Sequence, residues 1–431
     1  MRTVKILMEG ADEPDPLSAE RYVARGGGAG LRKALGMSPE AIISEVKAAR
    51  LLGRGGAAYP AGNKWEQLLA IEGFPKHIVC NADEGEPGTF KDRFIMERAP
   101  FLLIEGMAIA GRVFGSSTGY IYVRGEYRSV QRGLAGAMDS ARAANLLGRD
   151  ILGSGLDFDV EIVSGAGAYV CGENSALLNS TQGLAGKPRI KPPHLAEVGL
   201  FGAPTLVNNV ESFANVPAIV NMGGKAFLDL GHPESGGTKL VCLSGHAARP
   251  GVYEIPLGAV TLRELVFSQE YGGGMRPGSR LGFLHLGGQS GPVVQPALLD
   301  TVYSYSDLRK AGLAVGSGAV VAVGDEVPLL DYLAAVSRFF VRESCGKCSP
   351  CRNGNPAVLK CLLDLAEPGH ADRGTLDMLR SLCEVMTQAS FCGLGRAATA
   401  ALKSAWKAFP EEIERNAMRP SASAGRFPEA I

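Results

Sequence analysis

Apolar and polar positions change their rhythm twice along the chain, and three successive units follow. Positions 1–37 are polar and glycine-rich and predict an extended leader. Ser38-Pro39 reads as a helix start, with serine as N-cap and proline at the first helical position. Ile42, Ile43, Val46, Ala49 and Leu52 recur at helical spacing behind it, and Gly53-Arg54-Gly55-Gly56 ends that helix. Strand-like runs at 77–80, 120–123 and 158–163 alternate with helical patterns at 101–114 and 129–144. Such alternation predicts an α/β unit on a parallel sheet, placed at 1–235. The turn-rich stretch Pro233-Glu234-Ser235-Gly236-Gly237 closes it. Further strand-like runs at 239–244, 281–286 and 319–323 predict a small β-rich module at 236–327. From Pro328 the spacing turns helical, at 329–342, 357–366, 375–386 and 396–408. This predicts a helical bundle at 328–431, with a frayed polar tail after Pro410.

Charge narrows the function classes. Lys+Arg is 44 and Asp+Glu is 44, a balance poorly suited to non-specific nucleic-acid binding. The same balance suits a subunit that covers much of its surface with partners. No apolar stretch follows Met1, so no signal peptide is expected. The apolar runs at 101–110 and 318–324 are too short to span a bilayer. A cytoplasmic protein is expected, peripheral at a membrane only through other subunits.

Nine cysteines are unevenly spread, and cytosolic cysteines in clusters point to metal rather than to disulfides. Cys345, Cys348 and Cys351 are each separated by two residues, and Cys392 follows after forty more in Ser390-Phe391-Cys392-Gly393. Three closely spaced thiols with one distant partner suit a [4Fe-4S] cluster. Zinc, which usually takes two separated pairs, and reduced structural thiols are the alternatives. Cys80, Cys171, Cys242, Cys361 and Cys383 stand alone and read as small buried apolar residues.

Three loops carry candidate binding chemistry. Gly53-Arg54-Gly55-Gly56-Ala57-Ala58 matches a dinucleotide fingerprint but follows a helical pattern, so a plain helix terminator is equally compatible. Tyr59, Lys64 and Trp65 nearby could meet a ring or a phosphate. Ser164-Gly165-Ala166-Gly167 lies between a strand and a helix that starts near Gly172-Glu173-Asn174-Ser175, where backbone N–H groups could meet an anion or simply turn the chain. The acidic run Asn81–Glu86, continuing to Asp92 and Arg93, sits beside a buried strand. Its amide and carboxyl groups could hold ribityl or ribose hydroxyls, with a solvated loop as the alternative.

Taken together, GRGGAAYPAGNKW, CNADEGEPGTFKDR, GAYVCGENSALLNS…KPRIKPP…PTLVNNVES and ESCGKCSPCRNG…SFCGLG resemble the flavoprotein subunit of NADH:quinone oxidoreductase (respiratory complex I). NAD-linked hydrogenases and formate dehydrogenases share that family. The resemblance implies a Rossmann-like FMN domain, a ubiquitin-like module and a helical bundle with the cluster. It implies that Gly53, Arg54, Gly55, Gly56 and Lys64 cradle the flavin. Asn81, Asp83, Glu84, Gly172, Glu173, Asn208 and Asn209 would complete that site. Tyr59 and Glu86 would face the nicotinamide nucleotide beside Asn174, Lys191 and His194, and Cys345, Cys348, Cys351 and Cys392 would ligate the [4Fe-4S] cluster. NAD(H) would exchange hydride with FMN, without a side-chain general base.

Three positions depart from the family pattern. Tyr59 and His194 stand where phenylalanine is usual, and Asn174 where a second glutamate is usual. Losing a carboxylate at 174 removes a repulsion against the extra phosphate of NADP(H), so an NADP(H)-accepting variant is one alternative. A non-catalytic iron–sulfur scaffold is another, and a flavin-free, zinc-stapled nucleotide module a third. The expected partners are other redox subunits: a thioredoxin-like [2Fe-2S] subunit and a larger iron–sulfur subunit.

Overall fold

The computed structural model describes residues 4–73 and 75–417; the expected frayed tail is a correction over its first residues, where helix Pro410–Glu414 folds with Ile413 buried, and its end lies outside the described residues. The first sheet is all-parallel: β1 (His77–Ala82), β2 (Thr118–Val123), β3 (Asp159–Ser164) and β4 (Thr205–Asn209), in the order β3-β2-β1-β4. Its central strands are buried β-branched and aromatic runs, as strands covered on both faces must be. From β1 the chain winds one way to β2 and β3, whereas β4 adds on the other side. Strand order therefore reverses between β1 and β4, and a crevice opens beyond their C-terminal ends. Asn81 and Asn209 are register partners at that mouth.

The second sheet comprises β5 (Thr238–Gly245), β6 (Gly251–Pro256), β7 (Leu281–Leu286), β8 (Val293–Val294) and β9 (Ala319–Gly324), in the order β6-β5-β9-β7-β8. β5 and β9 pair in parallel at the centre and the outer pairs are antiparallel, the ubiquitin-like arrangement the resemblance implies. A capping box of Thr261 and Glu264 starts the helix Leu262–Phe267 beside it. Helices Leu329–Glu343, Ser349–Ala366, Arg373–Ala389 and Ala400–Ala408 then share a separate core around Leu333, Phe340, Leu362, Leu379 and Leu402. Helix Ser349–Ala366 starts well before the expected 357, because Pro350 is tolerated in a first helical turn. Among the described residues no helix is long and apolar enough to cross a membrane.

The extended leader is a correction. Helices Ala19–Ala24 and Ala29–Leu35 fold there, and Ile6, Leu7, Ala19, Leu31 and Ala34 are buried. Two carboxylates hold this region. Glu254 of β6 accepts from the backbone N–H groups of Ile6 (3.0 Å), Leu7 (3.0 Å) and Met8 (2.8 Å). Glu105, inside the core helix Pro100–Phe114, accepts from Gly28 N–H (2.9 Å), Leu31 N–H (2.8 Å) and the Tyr22 hydroxyl. Each is an acceptor aimed at amides that no helix satisfies. Glu105→Ala strands those buried donors and should destabilise the chain by about 3 kcal/mol. Limited proteolysis near residues 24–28 should accelerate; an unchanged cleavage rate would show that Glu105 does not anchor these helices.

Candidate functional site

At the C-terminal end of β1 the chain enters the acidic loop already folded against its neighbours. Asn81 Nδ2 donates to Gly172 O (2.9 Å) and Asn174 Oδ1 (3.2 Å), while Asn81 Oδ1 accepts from Asp83 N (3.1 Å). Glu84 turns back onto the helix Lys91–Arg98, accepting from Asp92 N (2.8 Å), Arg93 N (3.0 Å) and Tyr127 OH (3.2 Å). Burial nonetheless pushes its pKa up to about 7. Glu86 accepts from Tyr169 OH (2.6 Å) and from Ser290 N and Oγ (both 3.2 Å). Burial raises its pKa against those bonds. A side chain at Gly288, at φ +96°, would collide with Glu86, so the 287–291 loop can close on it only with glycine there.

These groups wall a cavity of about 430 Å³. Gly55, Gly56, Asn81, Asp83, Glu84, Glu86, Gly172, Glu173 and Asn209 all line it. Other candidates are placed elsewhere. Gly53 N–H closes its own loop on Tyr59 O (2.9 Å). Arg54 is fully buried, with Nη2 on Gly236 O (2.9 Å) and its guanidinium over the Tyr305 ring. Lys64 donates to Val207 O (2.8 Å), and burial, then Lys191, lowers its pKa to about 8. Asn208 points the opposite way from Asn209, with its amide oriented to accept from Trp65 Nε1 (2.9 Å). Tyr59 is exposed, its hydroxyl accepting from Gln67 Nε2 (2.8 Å). Lys191 pairs with Glu173 (3.0 Å), and exposed His194 donates its backbone N–H to Glu197 (2.8 Å). Glu173 also caps the helix Asn174–Thr181. Burial works against ionisation of Glu173, but its bonds with Ser175 and Lys191 hold the pKa below the ordinary value.

Sequence reasoning assigned no role to several wall residues: Thr89, Lys91, Tyr169, Ser290 and Ser317. Lys91 is buried, with Nζ on Asp92 (2.5 Å), Glu211 (3.1 Å) and Asn209 Oδ1 (3.1 Å). Glu211 in turn pairs with Lys239 of β5 (2.6 Å), so a buried charge chain joins the two sheets beneath the cavity. Lys91 and Asp92 stand in the quoted CNADEGEPGTFKDR motif, and that was the available signal.

The four predicted thiols ring a small void with Pro188, Lys347, Phe391 and Leu394. Cys348 caps the helix Ser349–Ala366 and Cys351 lies in its first turn, so the positive end of an 18-residue helix faces the thiols. Asn355 Nδ2 approaches Cys351 Sγ (3.3 Å) and Phe391 N–H approaches Cys348 Sγ (3.4 Å). Among the described residues no three His, Cys, Asp or Glu side chains converge closely enough to hold one metal ion. Thiols spread around a void, with donors aimed at sulfur, fit a cubane better than zinc. The other five cysteines are buried.

The cavity fits the flavin. Glycine backbone at Gly55, Gly56, Gly287 and Gly316 permits close approach of a phosphate, and hydroxyl and amide groups stand around it. Asp83 Oδ2 is buried with no hydrogen-bond partner, which leaves a polar atom for a ligand to satisfy.

Family models match two stretches: the Nuo51 FMN-binding domain over residues 46–218, and the NADH-ubiquinone oxidoreductase-F iron-sulfur binding region over 331–416. The second NADH-quinone oxidoreductase F-subunit of Rhizobium meliloti is 44% identical, over 95% of this chain and 96% of the relative. The corresponding F-subunit of Escherichia coli is 40% identical over 95% and 92%. The HndC subunit of the NADP-reducing hydrogenase of Solidesulfovibrio fructosivorans is 40% identical over 93% and 81%. A solved NAD+-reducing [NiFe]-hydrogenase superposes with a TM-score of 0.83 at 34% identity, covering 97% of this chain and 68% of that one.

Proposed function

This chain belongs to the family of NADH-quinone oxidoreductase F-subunits, and from that premise we propose that it passes electrons between NAD(H) and partner redox subunits through FMN and one [4Fe-4S] cluster. One observation carries the reading. Leu394 lines both the cavity and the cysteine void, so the two sites adjoin at that residue. Bound in the cavity, FMN supplies two-electron exchange with nicotinamide and one-electron exchange with the cluster. The protein's share is placement. Gly55 and Gly56 admit the phosphate, Asn81, Asp83 and Asn209 meet polar atoms of the flavin, and Lys91 with Asp92 keeps Asn209 oriented. Glu86, braced by Tyr169 and Ser290, faces the nucleotide's side of the cavity. Cys345, Cys348, Cys351 and Cys392 hold the cluster.

The units responsible run over 1–235, 236–327 and 328–431. Other redox subunits complete the assembly, and we assign a thioredoxin-like [2Fe-2S] protein and a larger iron–sulfur protein to that role. Peripheral membrane association would come through them. NADP(H) as an accepted nucleotide is a second reading, favoured by the neutral Asn174 beside Asn81 and by the name of the hydrogenase relative. Anaerobic titration with NADH and then NADPH, following flavin absorbance and cluster EPR, tests both. Bleaching by NADH with a new cluster signal is expected. Comparable bleaching by NADPH would establish the second reading, and a flavin that neither nucleotide bleaches would leave only the scaffold.

A further inference from the structure

Asp83 stands two residues beyond Asn81, at the mouth of the crevice between β1 and β4. Its backbone is held at both ends, by Asn81 Oδ1 on its N–H (3.1 Å) and by Gly85 N–H on its carbonyl (2.9 Å). The carboxyl therefore has little freedom to turn away, yet its Oδ2 is buried and has no partner. Of the charged groups around it, only Arg124 favours the ionised form, and its hydrogen bonds go elsewhere. Arg124, beyond β2, spends Nε and Nη2 on Glu126 (3.0 and 2.6 Å) and Nη1 on Glu84 O (2.5 Å). Glu126 beyond β2 and Glu343 of the bundle helix Leu329–Glu343 add negative charge from two further sides. The wall itself carries Glu84, Glu86, Asp92 and Glu173. Its ammonium, Lys91, is neutralised by Asp92 and Glu211, and Lys191 is taken by Glu173.

We propose that Asp83 meets the flavin as a neutral carboxylic acid, donating a hydrogen bond from its buried oxygen, so that cofactor affinity falls as pH rises. The inference rests on the FMN reading above. An ionised carboxylate would lack a hydrogen-bonded cation in a low-dielectric pocket and would repel a phosphate-bearing ligand. A neutral acid avoids both costs and can donate. The electrostatics agree: burial, opposed by Arg124 and reinforced by Glu126 and Glu343, pushes the Asp83 pKa up to about 7. A raised pKa means the donor is present below that value and lost above it, so affinity should fall with increasing pH, about tenfold per unit once the acid ionises.

FMN binding to the flavin-free full-length chain, followed by fluorescence quenching from pH 6 to pH 8.5, tests this. The wild-type Kd should rise about 30-fold across that range, the single-proton limit for a midpoint near 7. Asp83→Asn, which keeps a donor but cannot ionise, should bind with little pH dependence. A flat wild-type profile would overturn the proposal. So would a wild-type slope that survives in Asp83→Asn, because the proton would then belong to another group, such as Glu84 or the flavin phosphate. Failure of the wild type to bind FMN at any pH would instead overturn the flavin reading, and this inference with it. If Asp83→Asn does not fold, infrared difference spectra of the wild type decide. A protonated-carboxyl stretch that shifts on FMN addition supports the proposal, and its absence sinks it.

Discussion

Cys392→Ala should abolish the cluster EPR signal and strip most of the iron, while NADH still bleaches the flavin. The expectation follows from where Cys392 stands. It caps the short helix Gly393–Ala397, and the two residues after it, Gly393 and Leu394, form the cavity wall. Cys345, Cys348 and Cys351 lie on one continuous segment and could retain a degraded cluster, whereas Cys392 is the one thiol of the four brought from a separate segment. Electron flow from NADH to an acceptor served through the cluster should fall at least on the order of 100-fold, since losing a ligand costs more than losing a residue that supports one. The flavin cavity keeps its polar wall, so cofactor binding should change little. Iron analysis, EPR and flavin absorbance on one preparation separate the outcomes. An intact cluster signal in the variant would show that Cys392 is not a ligand.

Glu211→Ala should be the most destabilising single change away from the cysteines. Glu211 is fully buried, bonded to Lys239 at 2.6 Å and Lys91 at 3.1 Å, and accepts from Leu240 N–H at 3.0 Å. Removing it leaves two buried ammonium groups without their shared counter-ion, a loss of about 3–5 kcal/mol. Burial opposes its ionisation, but Lys239, Lys91 and Arg54 win and hold its pKa below the ordinary carboxylate value. The pairing therefore contributes fully above the ordinary carboxylate range, and the contribution disappears as pH falls through the lowered folded value. In the thermal midpoint, the gap between wild type and variant should be wide at neutral pH and close in acid. The exposed Arg263–Asp300 pair is the control, and breaking it should leave the midpoint unchanged. Equal midpoints for wild type and Glu211→Ala at neutral pH would refute the assignment.

Much of this architecture could be read from the chain. The runs at 77–80, 120–123 and 158–163 became β1, β2 and β3, because β-branched and aromatic residues left them few alternatives as buried strands. Ser38 caps its helix as expected, accepting from Ala41 N (3.2 Å). The N-terminal helices were hidden because they are short and the run Gly26-Gly27-Gly28 interrupts their apolar spacing, and they are fastened by Glu105 and Glu254, far away in sequence. At the site, resemblance carried Asn208 and Asn209 together, although adjacent strand residues face opposite sides and only Asn209 reaches the cavity. For Arg54 and Lys64, which the resemblance assigns to the flavin, the hydrogen bonds go to Gly236 O and Ser235 Oγ and to Val207 O, partners that the sequence does not announce. Ser290 and Ser317 come from the second sheet, and no local pattern announces a wall residue contributed across some 200 positions.

The clasp of Glu254 on residues 6–8 bears on how the chain is made. During synthesis the amides of Ile6, Leu7 and Met8 leave the ribosome nearly 250 residues before their acceptor does. Until β6 emerges, that part of the N-terminal region lacks its fastening, although the parallel sheet it lies beside is already complete. A gene fragment cut at the end of the first α/β unit would thus express a body with a loose edge. A fusion partner joined at the N-terminus would load a joint that closes only after β6 is made, which favours placing affinity tags elsewhere.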